Sequence, residues 1–333
     1  MNNPVISVVM PAFNAAEYVQ ESVQSILEQT FSNIELIIVD DCSTDDTWKI
    51  ISNIGHKDSR CRVFRMEENS GSAKYPRDMA VSLAQSNLIC WIDSDDKIAP
   101  DYLEKLHKKM TESGSDLVCS KMIAYEDKEK CCYTLPKEGF DYDRIWSGKE
   151  AVMLTIGIQW QINMNGCLVK KDIWKSTSYY LNRRFIHMNA DDFASREMIL
   201  NAQKVASVSV PYYYRIHSQA ITKMLSYKLF EPLITDNLVT QLIEKHFGEG
   251  SKQVNEAWNQ YFLHWISMMR IYAMKNHQLT LKGRNIALGL LKEHKHIFRV
   301  RQVLKSQKLS LNKKILLLLP LNISMVIFKK INS

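Results

Sequence analysis

Residues 88–96 read Leu-Ile-Cys-Trp-Ile-Asp-Ser-Asp-Asp, an apolar run of strand length that ends in three carboxylates within four positions. A run this apolar is typical of a central strand covered on both faces. Open α/β sheets bind ligands outside the carboxyl ends of their strands, which is where these acids fall. Neighbouring carboxylates repel one another unless a cation offsets their charge, and oxygen ligands suit Mg²⁺ or Mn²⁺. The stretch therefore predicts a metal site for a phosphorylated ligand, with a polar turn or helix cap as the alternative.

Strand-like and helix-like segments alternate about five times through the first 125 residues. The first apolar run is Val5–Met10, and the second, Ile34–Val39, also ends in acids. This alternation predicts an α/β fold with an open, mostly parallel sheet flanked by helices. The turn after the first run contains no glycine, which ranks a dinucleotide-binding dehydrogenase low. If the strands before Asp40 and Asp93 are adjacent and parallel, both acidic clusters meet at one crevice.

Length and composition indicate an ordinary globular protein. The chain has 333 residues, enough for one large domain with an extension or for two domains, and it is 46% hydrophobic and 24% charged. Its seven cysteines show no CxxC spacing and several lie in apolar runs, which favours reduced thiols in a cytoplasmic protein. The first residues show no signal-peptide pattern, and no apolar stretch reaches the roughly 20 residues that a membrane-spanning helix needs.

The C-terminal third has a helical pattern and is strongly basic. Between Arg270 and Lys330 there are 14 Lys and Arg residues against one acid, Glu293. The segment from Lys313 to Lys330 is apolar between basic pairs and is interrupted by Pro320, which favours an interfacial segment on an anionic membrane leaflet. A core helix or a dimer contact is the alternative. No nucleic-acid module is visible, so nucleic acid is not an expected partner.

Four segments in this order resemble family 2 glycosyltransferases of the GT-A fold, inverting enzymes of the bacterial surface-polysaccharide type. The segments are Ser7–Asn14, Ile37–Asp45, the loop Asn69–Gly71 with the pair Arg77-Asp78, and the DxD-like run Ile92–Asp96. The resemblance covers about residues 4–218. It implies a transferase domain over 1–218, with a donor-binding half (1–125) and an acceptor half (126–218). Beyond that domain, the sequence pattern predicts a basic helical region (219–333), with a membrane surface as its favoured partner.

The resemblance implies transfer of a sugar, with inversion, from a nucleotide sugar that is usually UDP-linked. Asp40 would accept a hydrogen bond from the uracil imide, and Asp93 would face the ribose or the sugar. Asp95 and Asp96 would hold Mg²⁺ or Mn²⁺ against the diphosphate, with His217 as a third ligand or a diphosphate contact. The residues expected to bind the nucleotide sugar are Pro11, Ala12, Phe13, Asn14, Asp40, Gly71, Lys74, Arg77, Asp93 and Ser94. Pro76 and Asp78 depart from the family pattern, which bears on the nucleotide or sugar taken.

The acceptor side requires a base, which in this family is the Asp of a Glu-Asp pair that opens a helix. Asp192 matches that base and Asp191 matches the Glu, and the alternative is a helix N-terminus with favourable acids. Trp160 is a candidate platform for the acceptor, with the protein core as the alternative, whereas Trp174 is expected in the core. A glycan or lipid-linked saccharide is the expected acceptor.

These inferences combine into one predicted function. The chain is expected to be a hexosyl- or N-acetylhexosaminyl-transferase, cytoplasmic and peripheral on the inner face of the cell membrane. A homodimer is left open. The rival hypothesis is a non-catalytic module on the same fold that binds a nucleotide sugar, a membrane or a protein partner.

Overall fold

The computed structural model describes residues 3–126, 130–156, 160, 164–182, 188–217, 225–298, 300–306 and 308–332. The chain divides into two compact units. The first comprises residues 1–186 and 194–217, and the second comprises residues 187–193 and 218–333.

In the described part of the first unit, nine strands form one sheet. They are β1 (Ile6–Ala12), β2 (Ile34–Asp40), β3 (Cys61–Arg65), β4 (Leu88–Trp91), β5 (Lys97–Ile98), β6 (Leu117–Glu126), β7 (Lys130–Leu135), β8 (Cys167–Lys170) and β9 (Val205–Ile216). Their order is β3-β2-β1-β4-β8-β6-β9-β5, and β7 pairs with β6. Helices flank the sheet, which confirms the predicted α/β class. The helices up to residue 201 are α1 (Val19–Leu27), α2 (Thr47–Lys57), α3 (Lys74–Leu83), α4 (Tyr102–Ser113), α5 (Gly148–Ile156), α6 (Lys171–Lys175), α7 (Ser178–Leu181) and α8 (Ala190–Asn201).

Parallel pairing is confined to two places in the sheet. Strands β3, β2, β1 and β4 are parallel to one another, and β6 is parallel to β9. Strand β8 pairs antiparallel with both β4 and β6, and the pairs β5–β9 and β6–β7 are also antiparallel. The strands that end in acids, β2 and β4, are not adjacent, because β1 lies between them. All three are parallel, so their carboxyl ends still fall at one edge of the sheet.

The apolar runs form the centre of this sheet because both of its faces are covered. Every residue of β1 and β2 is buried, and Cys90, Trp91 and Ile92 are fully buried at the end of β4. Helix α4 shows the packing of the flanking layer. It buries Leu103, Leu106 and Met110 on one face and ends at Gly114, whose φ of +62° is the left-handed conformation that glycine adopts most readily.

The second unit is helical, as predicted for the C-terminal region. Its helices are α9 (Pro232–Phe247), α10 (Lys252–Lys275), α11 (Leu281–Ile297), α12 (Val300–Lys305), α13 (Leu311–Leu318) and α14 (Leu321–Asn332), with 3-10 turns at Tyr227–Phe230 and Asn276–Gln278. Phe298 packs edge-on against the rings of Trp258, Tyr261, Phe262 and Trp265. None of the helices described is both long and apolar enough to cross a membrane.

Candidate active site

The turn after β1 is tied to the turn after β2 by side-chain hydrogen bonds. Asn14 has a φ of +47°, its backbone N–H donates to Ser43 Oγ (2.9 Å), and its side-chain oxygen accepts from the N–H of Thr44 (2.8 Å). Pro11 and Ala12 are buried in β1, whereas Phe13 is 44% exposed just beyond it. The four residues predicted to frame the nucleotide base therefore lie at the carboxyl edge of the sheet, and Phe13 offers an accessible ring there.

Asp40 is completely buried at the end of β2. Its carboxylate accepts hydrogen bonds from the hydroxyl and the N–H of Ser43, and Arg65 Nε lies 3.1 Å from Oδ2. An incoming base would have to displace one of these donors to reach the carboxylate. The assignment of Asp40 to the uracil imide stays a prediction.

Asp41 joins β2 to the loop that contains Gly71, a contact that the sequence analysis did not predict. Its Oδ1 accepts from the N–H of Ser70 (3.0 Å), and its Oδ2 accepts from the hydroxyl of Ser70 and the amide of Asn69. Burial raises the pKa of Asp41, outweighing these hydrogen bonds. Gly71 follows with a φ of +73° and open space where a Cβ would stand.

The three carboxylates that follow β4 form one cluster. Asp93, Asp95 and Asp96 each offer an oxygen, and these oxygens all lie within 4.8 Å of one another. Asp96 is 1% exposed and accepts hydrogen bonds from Tyr212 Oη (2.6 Å) and from the N–H of Arg215 (2.8 Å). Burial, with the charges of Asp95 and Asp93, raises the pKa of Asp96 well above its usual range. A cation at this cluster would relieve that repulsion.

The other two acids have different neighbours. Asp93 pairs with Arg77 (2.8 Å) and accepts a hydrogen bond from the amide of Asn165. Asp95 is the most exposed of the three, and its Oδ2 lies 3.1 Å from His217 Nε2. Each carboxylate oxygen has two acceptor positions, so the cluster keeps free lone pairs beside its protein donors. Oxygen ligands with one imidazole fit Mg²⁺ or Mn²⁺.

The two predicted cations have different surroundings. Arg77 contacts the acidic cluster through Asp93, and its assignment to the donor site stays a prediction. Lys74 is 1% exposed, and its ammonium donates to Asp78 (2.6 Å) and to the carbonyl of Tyr179 (2.6 Å). Its donors are directed at protein acceptors, which fits an internal ion pair better than a diphosphate contact. Asp78, which departs from the family pattern, supplies the charge that balances this buried lysine.

Two further residues lie in the protein interior. Ser94 is 8% exposed, and its carbonyl accepts from the hydroxyl of Ser22 (2.9 Å). Trp160 is fully buried, with its ring centroid 5.0 Å from that of Phe140 and 5.1 Å from that of Trp146. The acceptor platform is therefore corrected to the core alternative, since a ring with no exposed surface has no face to offer a sugar. Trp174 is also fully buried, as predicted.

The predicted base lies in the short segment that belongs to the second unit. Asp191 and Asp192 occupy the first turn of α8 and are partly exposed. The backbone before them is fixed by Glu231, which accepts from the N–H of Met188 (2.8 Å), and by Thr235, whose hydroxyl donates to the carbonyl of Asn189 (3.2 Å). The two acids therefore lie at the start of a helix, and contacts from α9 and from Glu231 fix the backbone that leads into it.

A histidine on α10 is electrostatically coupled to this segment. His264 Nδ1 lies 2.6 Å from a carboxylate oxygen of Asp236. Burial opposes the charged imidazole, but the hydrogen bond and charge of Asp236, with a smaller contribution from the charge of Asp192, raise the pKa of His264 above its usual value. No local sequence pattern indicates this pair, because 28 residues separate its members.

Comparison with known proteins identifies the family. The family model described as "Glycosyl transferase family 2" matches residues 7–161. The "Glycosyltransferase GlyG" of Streptococcus pneumoniae is 30% identical over 226 residues, which cover 66% of this chain and 73% of that protein. The Escherichia coli protein named "UDP-Glc:alpha-D-GlcNAc-diphosphoundecaprenol beta-1,3-glucosyltransferase WfaP" is 41% identical over 92 residues, 28% of this chain and 36% of its own.

A solved structure shares the fold. The structure described as S. aureus TarS 1–349 in complex with UDP-GlcNAc superposes with a TM-score of 0.65 at 17% identity, covering 97% of this chain and 88% of that one. At this identity the likeness shows the fold alone, and that fold agrees with the sheet and flanking helices described above. Together with the family match and the similarity to GlyG, it leads to one conclusion: the chain belongs to glycosyltransferase family 2 and is a glycosyltransferase.

Proposed function

We propose that this glycosyltransferase moves a hexosyl or N-acetylhexosaminyl group, with inversion, from a UDP-linked sugar to a hydroxyl of a glycan or lipid-linked saccharide. The observation that carries the proposal is the cluster of Asp93, Asp95 and Asp96 at the carboxyl edge of the sheet, with Arg77 and His217 beside it. This is a site for a metal-bound diphosphate. The names of WfaP, which acts on UDP-Glc, and of the TarS complex with UDP-GlcNAc support a UDP-linked donor.

Within this proposal, Asp95, Asp96 and His217 hold Mn²⁺ or Mg²⁺. When bound, the ion would neutralise the charge that develops on the departing diphosphate. Asp93 keeps a different role, because Arg77 and Asn165 already engage its carboxylate. It orients the ribose or the sugar, and Arg77 adds positive charge on the donor side of the site.

The acceptor is activated by Asp192, with Asp191 as its neighbour on the first turn of α8. The carboxylate takes the proton of the acceptor hydroxyl as that oxygen forms a bond to the anomeric carbon. The bond from the anomeric carbon to the diphosphate oxygen breaks with its electron pair on the nucleoside diphosphate. Attack on the face opposite the leaving group gives inversion.

The nucleotide base is placed at the turns after β1 and β2. Phe13 offers an exposed ring for stacking, Asn14 is exposed beside it, and Gly71 has open space where a Cβ would stand. Asp40 is the proposed partner of the uracil imide. If Ser43 and Arg65 remain bonded to the Asp40 carboxylate when the nucleotide binds, Asp41 is the nearest other carboxylate that could accept this hydrogen bond. Ligand binding to an Asp40→Asn variant separates the two.

We place the protein in the cytoplasm, on the inner face of the cell membrane, where nucleotide sugars and lipid-linked acceptors meet. The rival function is a non-catalytic module on the same fold that binds a nucleotide sugar, a membrane or another protein. The intact acids of the cluster favour the enzyme, since a module without chemistry does not need three adjacent carboxylates and a separate base.

Thermal-shift measurements with nucleotides test the donor class. Ligands that bind only the folded state raise its stability by RT ln(1 + [L]/Kd), about 2.7 kcal/mol at 100 times Kd. We expect UDP and UDP-sugars to raise the melting temperature in a Mn²⁺-dependent way, and GDP and NAD to leave it unchanged. Asp95→Asn is the control, and it should remove the metal dependence. A chain that responds to no nucleotide, or equally to all of them, would contradict the proposal.

A further inference from the structure

Three short helices of the second unit expose apolar side chains along one face each. On α13, Leu311, Ile315 and Leu318 are 72%, 44% and 41% exposed, and their spacing of four and three residues places them on one side of the helix. On the other side, Leu316 and Leu317 are 7% and 3% exposed and pack into the protein. This helix therefore has an apolar core side and an apolar outer side.

The neighbouring helices repeat the pattern. Val300 and Leu304 on α12 are 58% and 56% exposed, and Ile323 and Val326 on α14 are 43% and 54% exposed. We call these seven side chains the apolar face. Scattered exposed apolar residues are normal in soluble proteins, but a run of them at helical spacing on consecutive helices marks an interaction surface.

Hydrogen bonds hold the three helices together. The ammonium of Lys314 on α13 donates to the carbonyl of Leu304 on α12 (2.8 Å). The hydroxyl of Ser324 on α14 donates to the carbonyl of Leu316 on α13 (2.8 Å). The apolar face is therefore presented by connected helices rather than by independent segments.

The charged residues of this segment have one sign, and one of its lysines, Lys308, pairs with Glu256 of α10. From Lys295 to Ser333 the sequence contains nine Lys and Arg residues and no Asp or Glu. Lys305 is exposed at the end of α12 and Lys313 is partly exposed on α13. Apolar side chains bordered by lysines complement a layer of anionic lipid, with the apolar groups at the acyl boundary and the ammonium groups at the headgroups. A second copy of this chain would bring like charges together instead.

We propose that the apolar face of α12–α14 docks on an anionic bilayer, with the helices lying in the plane of the interface. The inner sides of these helices remain packed in the second unit, so only the outer side chains enter the lipid. This inference goes beyond the transfer reaction and does not depend on which sugar is moved. Its consequence for the enzyme is a site held close to lipid-linked acceptors.

Vesicle co-sedimentation of the full-length chain tests this surface. We expect binding to vesicles of phosphatidylcholine with phosphatidylglycerol, much weaker binding to phosphatidylcholine alone, and release by salt because headgroup attraction is screened. Leu311→Glu should weaken binding by about tenfold or more, since it replaces a leucine that enters the lipid with a charge that anionic headgroups repel. Leu281→Glu is the matched control, because Leu281 on α11 is also 72% exposed but lies outside the apolar face, and it should bind like the unmodified protein.

The outcomes are distinguishable from those of the transfer proposal. Both variants should keep the nucleotide-induced thermal shift, which reports the donor site and the fold. Equal vesicle binding by Leu311→Glu and the unmodified chain would overturn the inference. Sedimentation equilibrium identifies the competing occupant: a dimer that Leu311→Glu dissociates would show that the apolar face joins two copies, and would also overturn it.

Discussion

Replacing Tyr212 with Phe removes one hydroxyl from the interior of the acidic cluster. That hydroxyl is buried and donates to Asp96 at 2.6 Å, and burial beside Asp96 raises its own pKa well above the usual value, so it stays protonated. Asp96 is 1% exposed, so water cannot replace the lost donor without a local opening. The ring of Phe fills the same volume. The substitution therefore removes this hydrogen bond, together with a longer one that Tyr212 Oη accepts from the N–H of Asp93 (3.4 Å), and changes little else.

The expected loss is the penalty of leaving a buried acceptor without its donor, about 2 kcal/mol. For a unit of this size that free energy lowers the melting temperature by roughly 4–8 °C. The variant should also bind Mn²⁺ about 10 to 100 times more weakly, because Tyr212 orients a proposed ligand without touching the ion. Differential scanning fluorimetry over a Mn²⁺ titration, with UDP present and absent, measures both effects.

Tyr125→Phe is the matched control. The Tyr125 hydroxyl is also buried, but it has no hydrogen-bond partner among the described residues, and its ring faces the Arg215 guanidinium at 5.0 Å, a contact that Phe retains. This control should be neutral or slightly stabilising and should leave Mn²⁺ affinity unchanged. If Tyr212→Phe behaves like Tyr125→Phe in both measurements, the hydroxyl does not support Asp96 and the account of the cluster is wrong.

Three further predictions concern the base, a buried lysine and a buried histidine. Asp192→Asn should lower the transfer rate by about 10²–10⁴-fold while keeping the donor-induced thermal shift; transfer near the original rate would assign the base elsewhere. Asp78→Asn restores the residue usual in the family but should destabilise the protein by about 3 kcal/mol in denaturant unfolding, because the buried ammonium of Lys74 loses its countercharge. An unchanged unfolding midpoint would show that the hydrogen bond to the Tyr179 carbonyl is enough to stabilise the ammonium. Burial lowers the pKa of His294 from 6.5 to about 4, so its contribution to the free energy of unfolding is complete above pH 6.5 and about 3 kcal/mol of it is lost as the pH falls towards and through 4. His294→Gln should flatten that part of the stability profile, and the exposed control His277→Gln should not.

The parts of the fold that the sequence predicted are those with local causes. The strands β1, β2 and β4 stand out because burial on both faces requires an unbroken apolar run. Their order in the sheet depends on contacts between distant segments, and no property of a single run indicates that β1 lies between β2 and β4. The antiparallel strand β8 is four residues long, too short to show any period.

The candidate site divides in the same way. The acids at 93, 95 and 96 are visible because they follow an apolar strand, and packing alone does not account for three carboxylates there. The partners that shape them, Tyr212 and Asn165, lie 116 residues from Asp96 and 72 residues from Asp93, and only the folded sheet brings them together. The sequence around Trp160 does not distinguish a surface position from a core position, because an aromatic residue near glycines is common in both.

The contacts of the three acids support different roles for them in the proposed reaction. Arg77 forms an ion pair with Asp93, whereas no described Arg or Lys forms one with Asp95 or Asp96. Burial and the neighbouring carboxylates raise the pKa of Asp96, and a divalent ion at the cluster would offset the repulsion between Asp95 and Asp96. Burial fixes Asp96 in place, and exposure leaves Asp95 accessible from outside. An ion entering this cluster would therefore meet one fixed and one accessible oxygen ligand, and would leave the remaining positions to His217, the diphosphate and water.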